Sequence, residues 1–89
     1  MKPFESLFRP ENINFFLVLE SERTVKSAAK SAGISVQHAA RLLRIWRDCG
    51  WVRKEHSLHG DRYRYSGVGV AVCEALEGPR LLGMFAKVR

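Results

Sequence analysis

The residues of this chain best suited to recognition lie between positions 35 and 50. Gln37, Ala40, Arg41, Arg44 and Asp48 recur every three or four positions, with Arg47 at the flank. At roughly 100° per residue they share one helical face, and Ala39, Leu42, Leu43, Trp46 and Cys49 share the opposite one. One face packs. The other offers an amide and forked guanidinium donors, the side chains that pair with phosphate oxygens and base edges. Ser35 can cap such a helix by accepting from the free amides of its first turn. Gly50 suits the residue just past its end.

Other chemistries find little footing. His56 and His59 lie three apart with no clustered cysteines or carboxylates nearby, and a metal site needs more ligands. Gly67 and Gly69 lack the lysine-serine context of a phosphate loop, and no paired-carboxylate or Ser/His/Asp arrangement stands out. We expect no enzyme activity, no metal and no cofactor. Two cysteines, Cys49 and Cys73, cannot build a disulfide framework, and they read as small core or interface residues. The longest apolar run, at 15–19, is too short to span a bilayer, and no signal-peptide layout opens the chain. The expectation is a cytoplasmic protein without a membrane partner.

The 89 residues make one small domain with a net charge of +6. Residues 23–64 hold ten Lys/Arg against three Asp/Glu, and the rest of the chain holds five against six. Positive charge concentrated on one module points to a polyanion partner.

The elements that must position these residues follow from pattern. Residues 1–9 form a mixed arm carrying Phe4, Leu7 and Phe8. Pro10 and Glu11 suit a helix start, predicting a helix over 10–20 with Ile13, Phe16, Leu17 and then Leu19 or Glu20 as its stripe and Phe15 and Val18 widening it. Thr24 can cap a second helix that buries Val25, Ala28, Ala29 and Ala32 and turns Lys26 and Lys30 outward. Gly33 supplies a turn, Ile34 fills the angle, and a third helix covers 36–49. Runs at 51–56 and 62–65 predict a β-hairpin. Ser66 can cap a helix over 67–77 that Gly78 and Pro79 stop, leaving an apolar tail over 78–89.

Helix, helix-turn-helix, two-stranded wing, helix is the order of a winged helix-turn-helix, an α+β fold that is mostly α. The residues resemble that superfamily, and most of all MarR-type regulators and their archaeal relatives. The likeness is carried by Ala32-Gly33-Ile34-Ser35, by Ala39-Ala40-Arg41-Leu42-Leu43, by Gly50-Trp51-Val52, by Gly60-Asp61-Arg62 and by Tyr65-Ser66-Gly67-Val68-Gly69. Trp46 and Trp51 depart from it, being bulkier than the aliphatic residues usual there.

The resemblance implies that the third helix enters the major groove of double-stranded DNA with its N-terminal residues facing bases. Ser35, Val36, Gln37, His38, Ala40 and Arg41 fall there, and Arg44 and Arg47 would meet phosphate. Lys26, Lys30 and the amides near Thr24 and Ser35 would grip backbone. On the wing, Arg53, Lys54, His59, Arg62 and Arg64 are the candidate phosphate or minor-groove contacts. Tyr63 and Tyr65 are expected to pack on the body.

The function so implied is a sequence-specific transcriptional regulator. Phe4, Phe8, Leu81, Leu82, Met84, Phe85 and Val88 exceed what one small core needs, so a homodimer is expected through these segments. The domain boundaries so read are 1–9, 10–77 and 78–89. The sequence names no small-molecule effector. The rival reading is a winged helix used as an architectural or protein-interaction module, without base-specific readout.

Overall fold

The computed structural model describes residues 1–22, 24–58 and 60–88, with side chains described through residue 77 apart from Ser57. After a 3-10 turn (Phe4–Phe8) come α1 (Pro10–Val18), α2 (Val25–Ala32), α3 (Val36–Asp48), β1 (Val52–Ser57), β2 (Gly60–Tyr65) and α4 (Gly67–Val88). Each junction has a local cause. Thr24 Oγ1 accepts from Ser27 N at 3.0 Å, and Ser35 Oγ accepts from His38 N at 3.1 Å, so both caps form as the sequence suggests. Gly33 ends α2 at φ 76°, and its N–H reaches the carbonyl of Lys30. Ser66 Oγ accepts from Gly69 N at 3.0 Å and starts α4.

The buried core draws on the first three helices and the start of β1, with side chains of the 3-10 turn, β2 and α4 partly buried against it. α1 supplies Phe15 and Phe16, with Leu19 just past its end, α2 supplies Ala28, Ala29 and Ala32, and α3 supplies Ala39, Leu42, Leu43 and Trp46, with Trp51 and Val52 behind them. The alanines leave α2 little side-chain bulk, which lets α1 and α3 approach it closely. Trp46 is the pivot. It stacks on Phe15 with ring centroids 5.8 Å apart and meets Phe16 edge-on at 4.9 Å.

The hairpin is antiparallel, with Val52 opposite Tyr65, Arg53 opposite Arg64 and Ser57 opposite Gly60. Trp51 stands just outside the ladder. Its N–H donates to Trp46 O at 2.8 Å, and its carbonyl accepts from Ser66 N at 3.0 Å, so the base of the hairpin is pinned to the end of α3 and the start of α4. A Cβ on Gly69 would lie 2.0 Å from that same carbonyl oxygen. Only glycine fits there.

Several expectations need correction. α1 ends at Val18 rather than 20, and its buried stripe is Asn12, Phe15, Phe16 and Leu19, while Ile13 and Leu17 are half-buried. The stripe contains an asparagine, so apolar periodicity alone misplaces it by a residue. Cys49 is exposed, because it caps α3 instead of continuing its buried face; its Sγ lies 3.4 Å from Trp46 O. Gly78 and Pro79 do not stop α4, which continues to Val88. Proline removes one helical hydrogen bond but fixes φ near the helical value, so it does not by itself force the backbone out of the helix. Residues 1–9, an arm that could fold onto the body or onto a second subunit, take the first course: the 3-10 turn lies on the body, with Ser6 fully buried. No helix among the described residues is long and apolar enough to cross a membrane.

Candidate nucleic-acid interface

The geometry of α3 separates its two faces cleanly. Ala39, Leu42, Leu43 and Trp46 are buried, while Val36, Gln37, Ala40, Arg41, Arg44 and Arg47 are exposed. Val36, at 51% exposure, presents an apolar surface one residue past the cap. Among the described residues the side chains of Arg41, Arg44 and Arg47 have no ion-pair or hydrogen-bond partner, so their donors are free for an incoming group. The Ser35 hydroxyl is engaged as a cap, which leaves its backbone rather than its side chain at the surface of the turn. On α2, Lys26 and Lys30 are exposed and unpaired among the described residues, and Thr24 is engaged as a cap in the same way.

His38 differs from its neighbours. It is half-buried, and its Nε2 lies 2.8 Å from Asn12 Oδ1. Asn12 uses its Nδ2 to donate to the Ser6 carbonyl at 2.8 Å, so Oδ1 must accept, and this assigns the proton to His38 Nε2. Ser6 in turn accepts from Trp46 Nε1 at 2.9 Å and donates to the Pro3 carbonyl at 2.5 Å. Sequence pattern missed this chain of contacts. Its signal was an asparagine at a core position, three and four residues before Phe15 and Phe16.

The hairpin holds most of its charge internally. Glu55 receives Arg64 Nε at 2.8 Å and lies 3.7 Å from Arg53 Nε. Asp61 receives Lys54 Nζ at 2.9 Å and His56 Nδ1 at 2.7 Å. The hydrogen bond from Lys54, and then that from His56, hold the Asp61 carboxyl below its usual range. Exposed pairs like these add little to stability, yet they occupy Arg53, Lys54 and Arg64, cations expected to face a partner. Arg62 alone among the described wing cations is exposed and unpaired. His59 lies outside the described residues.

Tyr63 and Tyr65 pack against the core, as expected. The Tyr65 hydroxyl donates to the Phe16 carbonyl, and burial pushes its phenol upward. Burial likewise pushes the Cys73 thiol up, which disfavours a reactive thiolate. A companion device holds the α1–α2 connector to α2: Ser27 and Ser31 hydroxyls donate to the two oxygens of Glu22, each at 2.9 Å.

Of the expected interface residues, Phe4 and Phe8 are 71% and 77% exposed, Phe4 lying edge-on to Trp51 at 5.4 Å. Leu81, Leu82, Met84, Phe85 and Val88 fall within α4, outside the described side chains. No cluster of three or more His, Cys, Asp or Glu that could hold a metal occurs among the described residues.

No protein-family model matches the sequence, and no curated protein matches it. A solved structure does. The homodimeric winged helix-turn-helix DNA-binding domain of a possible ArsR-family transcriptional regulator from Mycobacterium bovis superposes with a TM-score of 0.67. The match covers 93% of this chain and 78% of that one at 21% identity. The fold is a winged helix-turn-helix. In its terms α2 and α3 form the helix-turn-helix, α3 occupies the recognition-helix position, and the β1–β2 hairpin is the wing. The likeness reaches the winged-helix class and does not single out the MarR branch.

Proposed function

We propose that this winged helix-turn-helix protein is a sequence-specific, double-stranded-DNA-binding transcriptional regulator that acts as a homodimer in the cytoplasm. The observation that carries the reading is the exposed row Gln37, Arg41 and Arg44 on α3, beginning directly after a capped turn and unpaired among the described residues. In the major groove, Gln37 suits adenine, Arg41 suits guanine, and Val36 or Ala40 suits a thymine methyl. Arg44, Arg47, Lys26, Lys30 and Arg62 then meet phosphates. The finer likeness to MarR-type regulators rests on the motif residues alone.

Dimerisation is supported by Phe4, whose exposure is costly for a monomer, and by the apolar composition of α4 beyond residue 80. That the Mycobacterium bovis domain is homodimeric, DNA-binding and part of a possible regulator adds weight to both parts. One observation favours the rival reading as a protein-interaction module: Arg53, Lys54 and Arg64 are held by wing carboxylates and are not free for phosphates.

Duplex binding across a salt series, using genomic fragments that include the region upstream of the protein's own gene, separates the readings. Log K falls with log salt at about −0.9 per phosphate neutralised. A steep slope with one fragment strongly preferred supports the regulator. A steep slope without preference supports the architectural module, and no binding at low salt removes DNA as the partner.

A further inference from the structure

We propose that the DNA-contacting surface extends beyond α3 and the wing to the N-terminal turn, with the Arg9 guanidinium gripping a backbone phosphate across a groove from Arg41. This rests on the DNA-binding reading above and adds a contact that neither the helix-turn-helix nor the wing supplies.

The groove, about 580 Å³, runs between the N-terminal turn and the first turns of α3 and is lined by Met1, Glu5, Phe8, Arg9, Asn12, His38 and Arg41. Arg9 and Arg41 are both exposed and unpaired among the described residues. The one carboxylate on the rim, Glu5, accepts from the Lys2 backbone N–H at 3.4 Å. The remaining titratable side chain, His38, is tied to Asn12. Arg9 is also one of only five Lys/Arg outside residues 23–64, where acidic residues number six, so its position beside α3 is not part of a general basic surface. A guanidinium fork matches two phosphate oxygens at once.

Rigidity makes the contact productive. The Arg9 carbonyl accepts from Asn12 N at 3.1 Å and Ile13 N at 3.2 Å, which fixes its backbone at the head of α1. The two walls of the groove are then stitched together twice, by Asn12 to His38 and by Ser6 to Trp46. The Arg9 backbone therefore keeps its position relative to α3, and a duplex seated on α3 requires only the Arg9 side chain, and no segment of backbone, to order on binding.

The test compares Arg9→Ala, Arg9→Lys and Arg41→Ala in the full chain, on the preferred fragment and on a scrambled duplex, across salt. Arg9→Ala is expected to weaken both duplexes by the same factor, about eightfold at 0.1 M salt from a slope of about −0.9 per phosphate. It should flatten the salt slope by about one and leave thermal unfolding unchanged, since Arg9 has no side-chain partner to lose. Arg9→Lys should restore most of the slope. Arg41→Ala should instead erode the preference between duplexes. Wild-type affinity and slope in Arg9→Ala, while the parent protein binds with a steep slope, overturn this inference alone. A loss confined to one duplex overturns the phosphate role. Absence of DNA binding by the parent protein overturns the functional reading and this inference with it.

Discussion

Trp46 Nε1 donates to Ser6 Oγ at 2.9 Å, across forty residues of sequence and wholly inside the protein. The indole N–H has no other partner, so Ser6→Ala leaves a buried donor unsatisfied. The expected loss is about 1–3 kcal/mol in denaturant unfolding. Trp46→Phe in the Ser6→Ala background should add less than it does alone, because the orphaned donor is then gone. Additive losses would mean the bond contributes little.

Gly69 sits against the Trp51 carbonyl, where a Cβ would come to 2.0 Å. Backbone cannot swing aside as a long side chain can. Gly69→Ala should therefore cost at least the roughly 1–3 kcal/mol of ordinary overpacking, and it should loosen the base of the wing along with the start of α4. Hydrogen exchange at Ser66 N–H, which donates to that carbonyl, reports the second effect directly.

Tyr65 should make stability fall in alkali. Burial raises its phenol above the ordinary value of 10.0, so above that pH the unfolded chain releases a proton that the folded chain keeps. Stability is fully present below the ordinary value and declines as pH rises past it. Tyr65→Phe removes this decline and also removes the donor to the Phe16 carbonyl, for about 1 kcal/mol at neutral pH. Unfolding measured at neutral and alkaline pH separates the two effects.

Asp61 acts in the opposite sense. Its carboxyl is held below the ordinary 3.8 by Lys54 and His56, so its contribution is present above that value and is lost as pH falls through the folded one. Wing amide shifts should follow this titration in acid. Asp61→Asn should abolish it, and should also free Lys54 for a phosphate, strengthening non-specific duplex binding at neutral pH.

Arg41→Ala should cost about 1–3 kcal/mol on the preferred duplex and relax selection at one base pair. Arg64→Ala, whose guanidinium is spent on Glu55, should change affinity far less. A reversal of these two effects would move recognition from α3 to the wing.

What could be read from sequence divides along local and non-local lines. Thr24, Ser35, Gly33 and the stripe Ala39, Leu42, Leu43 and Trp46 were legible because caps, positive-φ turns and helical periodicity act within a few residues. Asn12 was not, since a polar residue in a core stripe makes sense only once Ser6 and His38 are beside it. The wing's charges looked available because their neutralisation depends on register: Glu55 reaches Arg64, and Asp61 reaches back to Lys54. Pro79 looked like a stop because a proline is weighed alone in a sequence and against both flanking turns in a helix.

The Ser6–Trp46 bond also has a consequence for descent. A small hydroxyl residue at position 6 answers a need created only by the indole at position 46. In a relative where that indole becomes an aliphatic side chain, Ser6 is left with a buried hydroxyl and one acceptor duty fewer, and the position is released toward alanine. Positions 6 and 46 should therefore drift together across a lineage, a covariation tying the N-terminal 3-10 turn to α3.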